Sequence, residues 1–204
     1  MSRISSIEQL RTLYSMPMER AVKKELPYLD RHHKHFLELS PFLTLASRGA
    51  SGKADVSPRG DKPGFVLAPD DHTLLIPDWP GNNRLDTLQN IIETSDVGLL
   101  FMVPGVDEQL RVNGTAELRT DDDLRLQFET RGKNPKVVIR VAVEAAYLHC
   151  AKAIMRSRLW DPQSRVERSV LPTMGEMLRD QIGGDSGLPE NQAAMVERYR
   201  EQLY

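Results

Sequence analysis

Between Pro41 and Cys150 the chain is cut into short runs rich in Val, Leu, Ile and Thr, each closed by Gly, Pro, Asn or Asp. The runs are FLTLAS, KADVSP, GFVLAP, HTLLIP, VGLLFMV, EQLRVNGTAELR and PKVVIRVAVEAAYLH. Such runs read as strands. Several alternate apolar and polar residues, LRVNGTAEL most plainly, so that one face is suited to a core and the other to solvent. Six or seven strands with few long crossover helices argue against a doubly wound sheet and for an antiparallel barrel or sandwich. The fold class is therefore mainly β with helices (α+β).

Helices flank and interrupt the strands. SSIEQLRTLY opens on serines, with Glu8 three positions after Ser5 in the pattern of a capping box. PYLDRHHKHFLELS places Leu29, His32 or His33, Phe36 and Leu37 on one face at helical spacing. Arg31 and Lys34 sit among its histidines, so RHHKH reads as a solvated face and not as a metal site, which needs convergent neutral imidazoles. NNRLDTLQNIIETS predicts a helix over 83–94 with Leu85, Leu88, Ile91 and Ile92 on its apolar stripe. TDDDLRLQFETRG predicts another, with acid in its first turn as the macrodipole favours and a stop at Gly132. After Cys150 come AKAIMRSRLW, a proline-marked loop, DPQSRVERSVLP, and two short helices, TMGEMLRDQIGG and LPENQAAMVERYREQLY. The expected organisation is one domain over 1–204: N-terminal helices to residue 40, a barrel over 41–150 and a helical tail from 151.

The length of 204 residues suits such a domain. A formal charge of -2 gives no bulk pull toward nucleic acid or anionic membrane, and the basic residues are not interleaved with aromatics, which make up only 6% of the chain. No nucleic acid and no membrane are expected as partners. Cys150 is the single cysteine, so no internal disulfide can form. The first residues carry early charge and no uninterrupted apolar stretch, and the expected location is cytoplasmic.

Common catalytic motifs are missing. GASGKAD, residues 49–55, lacks the spacing of a phosphate loop and the hydroxyl that would hold magnesium, and reads as a hairpin turn. His149 beside Cys150 makes no dyad, because neighbours on a strand face opposite ways. No catalytic residue and no metal ligand are assigned.

Two segments carry chemistry. IPDWPGNNRLDTLQNI joins an apolar run to a helix through Gly81, Asn82, Asn83 and Arg84. A helix N-terminus offers unpaired N–H groups and partial positive charge to an anion. Asn82 or Asn83 can cap, Gly81 lets the backbone approach closely, and Arg84 adds a planar cationic fork suited to phosphate. An arginine in a helix's first turn opposes the macrodipole, and a bound dianion would relieve that conflict. KADVSPRGDKPGF places Arg59 at a strand-to-turn joint beside Ser57. In a barrel the two arginine-bearing bends can converge on one phosphate.

In this order, SPRGD, IPDWPGNNRLDTLQNI, VGLLFMVPG and EQLRVNGTAEL resemble the pyridoxamine 5′-phosphate oxidase-like family of FMN-binding split β-barrels, in particular a bacterial branch of FMN-dependent enzymes. The resemblance spans residues 40 to 160. It implies an antiparallel split β-barrel with N- and C-terminal helical additions and a homodimer holding FMN between subunits. By position, it implies phosphate contacts from Arg59, Asn83 and Arg84, with Ser57 and Asn82 nearby. The isoalloxazine ring would meet backbone at Gly60, Ile76 and Pro77, with Gln109 close to it. The partner subunit would complete the site with Lys152, Arg156 and Trp160. PGNNR replaces the Arg-Lys pair of true pyridoxamine phosphate oxidases, and the C-terminal Arg-x-His clamp is missing, which argues against pyridoxal phosphate synthesis.

The implied function is that of an FMN-dependent oxidoreductase passing hydride between a small molecule and a donor such as a nicotinamide. Flavin supplies that chemistry and the protein supplies position and electrostatics. The alternatives are an F420-dependent reductase on the same fold and a non-catalytic flavin- or haem-binding protein with His149 as axial ligand. The near-neutral charge argues against the first, whose cosubstrate has a long acidic tail.

Overall fold

A computed structural model describes residues 3–130, 132–183 and 191–203. Six strands, β1 (Phe42–Arg48), β2 (Ala54–Gly60), β3 (Thr73–Asp78), β4 (Asp96–Met102), β5 (Gln109–Arg119) and β6 (Val137–His149), form one antiparallel sheet in the order β2-β1-β4-β5-β6-β3. This is the strand set of a split β-barrel. Six of the seven expected runs are strands. The exception is GFVLAP, which touches the sheet only through the Leu67–Leu75 bridge. Its Val66 is buried among core side chains while its backbone stays outside the ladder.

The sheet curls because alternate residues face one core. Leu43 and Leu45 of β1, Leu99 and Phe101 of β4, and Leu110 and Val112 of β5 are all fully buried. Leu74 and Ile76 of β3 meet them from the opposite side, together with Ile139 and Val141 of β6. The sheet ends at β2 and β3, and each of these edge strands contains a proline, Pro58 or Pro77. Proline cannot donate to a further ladder, so these two residues suit edge strands and leave the barrel split between β2 and β3.

Among the described residues the α-helices are α1 (Ile7–Leu13), α2 (Glu19–Lys23), α3 (Arg31–Leu39), α4 (Asp86–Thr94), α5 (Asp122–Leu126), α6 (Lys152–Ser157), α7 (Met174–Ile182) and α8 (Gln192–Gln202). Ser6, not Ser5, caps α1, accepting from the Gln9 N–H. The α5 helix stops at Leu126, short of Gly132, which lies in a turn at φ +71°. Gly184, residues 188–190 and Tyr204 of the expected tail helices lie outside the described residues. The predicted 49–55 turn is present, with the Gly52 N–H donating to the Gly49 carbonyl at 2.9 Å.

The RHHKH segment is not uniformly solvated. His33 is buried beside Leu29 and Leu37. Asp30 Oδ1 accepts the His32 and His33 N–H groups, each at 2.8 Å, and the Asp30 N–H donates to His33 Nδ1 at 3.2 Å. This is a capping box with imidazole in the usual Glu or Gln role. Burial lowers the His33 pKa from its ordinary value, against the upward pull of Asp30. As pH falls the unfolded chain therefore takes up this proton first. The contribution to stability is complete above the ordinary histidine value of about 6.5 and is lost as pH falls through the lowered folded value. The urea midpoint is expected to drop between about pH 7.5 and about pH 5, with part of that drop absent in His33→Gln. An identical pH profile in the variant would place the acid sensitivity elsewhere.

Candidate functional site

The strand β2 turns Asp55, Ser57 and Arg59 to one face, opposite inward-facing Ser47, Leu45 and Leu43 of β1. That face looks across the split toward the end of β3, where Asp78 follows the buried apolar residues 74–77. Arg59 Nη1 donates to Asp78 Oδ2, with side chains 19% and 12% exposed. The ion pair crosses between the two edge strands, where no backbone ladder does. Arg59 Nε is also buried and has no protein acceptor. A buried guanidinium donor without a partner is costly, and an added acceptor would relieve that cost.

Beyond Asp78, residues 79–85 form the bend into α4. Asn83 and Leu85 take left-handed backbone conformations at φ 59° and 60°. For Leu this is strained, since its branched side chain crowds the following carbonyl. The helix then begins at Asp86, later than the expected residue 83. Asn82 Oδ1 accepts the Arg84 N–H at 3.1 Å and so orders the bend without capping the helix. The cap position is Leu85, which makes no side-chain cap bond, so the first N–H groups of α4 remain uncapped. Of the expected stripe, Leu88 and Ile91 are buried, whereas Leu85 and Ile92 are exposed.

Arg84 therefore precedes the helix, and its conflict with the macrodipole is absent. Its charge is answered locally, because Arg84 Nε donates to Asp86 Oδ2 at 2.8 Å. The hydrogen bond and charge of Asp86 raise the Arg84 pKa, so the guanidinium stays cationic. The pair is open to solvent, with side chains 75% and 43% exposed. Solvent screening makes such a pair easy to exchange.

The two bends converge. Ser57, Arg59, Asn82, Asn83 and Arg84 line one cleft of about 370 Å³, closed by the N-terminal turn of α4. That volume lies in the usual range for small-molecule sites. Asp55, Asp78 and Asp86 line it too, and the sequence reading did not place them there. Asp55 is engaged by Thr87, whose Oγ1 donates at 3.1 Å. The readable signal was Asp78, a carboxylate ending a buried apolar strand and thus in need of a cation. With three carboxylates and two guanidiniums, an incoming dianion has to displace one acid. Asp86 is the one held only at the surface.

Trp79 is shared with a second cleft of about 260 Å³, lined by Pro77, Phe65, Phe128 and Lys62. Ile76 is fully buried in the core, and Gly60 is exposed at the end of β2. Leu75 directs its N–H and carbonyl to Leu67, so by alternation those of Ile76 are spent on Ile139 of β6. Gln109 and Trp160 line neither cleft and instead hold one turn. Gln109 Nε2 donates to the Asp107 carbonyl, and Trp160 Nε1 to the Val106 carbonyl at 2.9 Å. Lys152 and Arg156 are exposed on α6 and also line neither cleft. Among the described residues no cluster of three or more His, Cys, Asp or Glu could hold a metal ion. No helix there is long and apolar enough to cross a membrane.

Residues 29–150, more than half of the chain, match the family described as Pyridoxamine 5′-phosphate oxidase. The chain belongs to that family. Among solved structures, a HupZ variant from Group A Streptococcus shares 20% identity over 59% of this chain and 99% of its own, with a TM-score of 0.50. An F420 reductase shares 19% identity over 58% of this chain and 98% of its own, with a TM-score of 0.43. HutZ, the haem storage protein of Vibrio cholerae, shares 16% over 59% and 93%, with a TM-score of 0.42. At 20% identity the HupZ likeness shows the fold alone. No curated protein matches the chain.

Proposed function

We propose that this member of the family binds FMN through its phosphate in the cleft between Arg59 and Arg84 and works as an FMN-dependent oxidoreductase on a small molecule. The observation that carries this reading is the convergence of both arginine-bearing bends on one cleft, where Arg59 Nε is buried without an acceptor. The uncapped first turn of α4 adds N–H groups of the kind that hold phosphate. In this reading Arg59 keeps Asp78 on Nη1 and offers Nε, Arg84 releases Asp86, and Ser57, Asn82 and Asn83 supply further donors. FMN supplies hydride chemistry when bound. The neighbouring cleft beside Pro77 and Trp79 gives a substrate its place.

Gln109, Lys152, Arg156 and Trp160 have no part in the cleft of their own chain, so their roles belong to a homodimer in which each subunit reaches the other's site. Size-exclusion with light scattering on the flavin-loaded protein tests this, and a flavin-binding monomer would remove those roles. A reduced nicotinamide is the electron donor to try first. The deciding experiment is a visible spectrum of the purified protein, with mass identification of whatever denaturant releases. Flavin bands and FMN are expected. A Soret band, or a deazaflavin in the released fraction, would replace this reading by haem binding or F420 chemistry.

Arg84→Ala is expected to raise the FMN dissociation constant by about ten- to a hundredfold, the loss of a charge-assisted hydrogen bond. Fluorescence quenching of FMN measures it. An unchanged constant would take Arg84 out of the site.

A further inference from the structure

We propose that α1 and α7, helices outside the family-matched residues 29–150, dock through their apolar sides on a second copy of this chain. The inference deepens the homodimer reading and rests on it, while leaving the flavin aside. Along α1, Ile7, Leu10 and Leu13 share one side at helical spacing, 71%, 41% and 64% exposed, with Glu8 and Thr12 on the other. No residue of α1 is buried, and its side-chain hydrogen bonds stay within residues 5–15. A seven-residue helix is well below the roughly 12–15 residues that hold their shape alone in water. This one needs a surface that its own body does not supply. Along α7, Met174, Leu178 and Ile182 repeat the pattern, four residues apart and exposed.

Area and position name the occupant. The chain exposes 14155 Å², whereas a monomer of 23.1 kDa exposes roughly 9,700 Å². A homodimer interface takes roughly 1,000–2,500 Å² from each chain, well within that excess. Among the described residues, most of the large apolar side chains that lie exposed come before residue 29 or after residue 150. The arm carrying α1 is rooted at Leu26, whose N–H donates to the Ala146 carbonyl at 3.0 Å and whose carbonyl accepts the Ala146 N–H at 2.8 Å. Ala146 lies near the end of β6, where His149 pairs with Gln109. In the proposed homodimer Gln109 serves the other subunit's site, so the arm leaves its own body at the edge that faces the second copy. A twofold arrangement covers both stripes of both chains at once and closes without leaving an apolar side to recruit a third.

Hydrogen exchange on the purified full-length protein reads the docking without any substitution. At concentrations where the protein is dimeric, the α1 amides are expected to exchange at least about tenfold more slowly than an unstructured chain, and to be released on dilution into monomer. In Ile7→Gln/Leu10→Gln/Leu13→Gln, the dimer dissociation constant from sedimentation should rise at least about a hundredfold, since burying one leucine-sized side chain changes an equilibrium by more than about tenfold. Met174→Gln/Leu178→Gln/Ile182→Gln should weaken the dimer likewise. The amides of β1–β6 should stay protected in both variants, which shows that each protomer keeps its fold. A monomer at every concentration would remove the homodimer reading and this inference together. A dimer whose α1 amides exchange freely, or whose dissociation constant neither triple variant moves, would overturn the docking alone. So would α1 protection that appears only with phosphatidylglycerol vesicles, which would assign the stripe to a membrane surface.

Discussion

Gly114→Ala is expected to destabilise the protein by at least about 3 kcal/mol, the upper range for forcing extra volume into a packed site. The sheet leaves no room for the added methyl group. A Cβ at Gly114 would stand 1.9 Å from the carbonyl oxygen of Ala142, on the neighbouring strand's backbone. Side chains can rotate away from such a contact, but a ladder carbonyl cannot without breaking β5–β6 pairing. The position sits at the register shift where β5 changes its alignment on β6. Gly98→Ala is the matched control, because its Cβ would meet Asn113 Oδ1 at 3.4 Å and Ala46 Cβ at 3.9 Å, ordinary contacts. Urea denaturation of both variants measures the difference. Equal stabilities would mean that β6 yields at the shift and that Gly114 is not needed there.

Arg59→Met is expected to lose both stability and flavin. It strands the Asp78 carboxylate in a site only 12% exposed. Breaking a buried pair by removing one partner costs about 3 kcal/mol at the low end, which applies because both side chains keep some contact with solvent. Adding Asp78→Leu removes the stranded charge, so the double variant should recover most of that stability. FMN binding should stay lost in both, since the donor into the cleft is gone. This separation tells structure from recognition. A double variant as unstable as the single one would show that the stranded carboxylate is not what destabilises Arg59→Met. Full flavin affinity in Arg59→Met would refute the phosphate cleft.

Much of this architecture was readable because burial imposes a period of two. LRVNGTAEL and FLTLAS alternate, and their strands lie where the alternation put them. GFVLAP misled because it is apolar for a different reason. Val66 is covered by the core, and a single bridge at Leu67 is all the ladder it makes. The start of α4 was misplaced because the left-handed turns at Asn83 and Leu85 are set by the tertiary path of the bend. Nothing in a leucine's own preferences announces them. The arginines of the cleft were legible as cations beside turns. The carboxylates of the cleft were not, since Asp78 meets Arg59 from another strand, Asp55 is held by Thr87 from α4, and turn composition already accounted for Asp86. Pro58 and Pro77 held an unused clue: two strand prolines mark two edges, and two edges border one opening.

The shift between β5 and β6 also decides which way the last third of β6 looks. Asn113 pairs with Ala145 while Gly114 pairs with Val143, so Glu144 is a supernumerary residue with no partner across the ladder. Before it, Val141 and Val143 point to the interior; after it, Ala146 does, with Leu148 packed against the same interior. If Glu144 were instead taken into the regular pleat, odd and even would reverse along the remainder, sending Tyr147 and His149 inward and turning Ala146 and Leu148 to water. One surplus amino acid thus sets the address of every side chain that follows it on that strand.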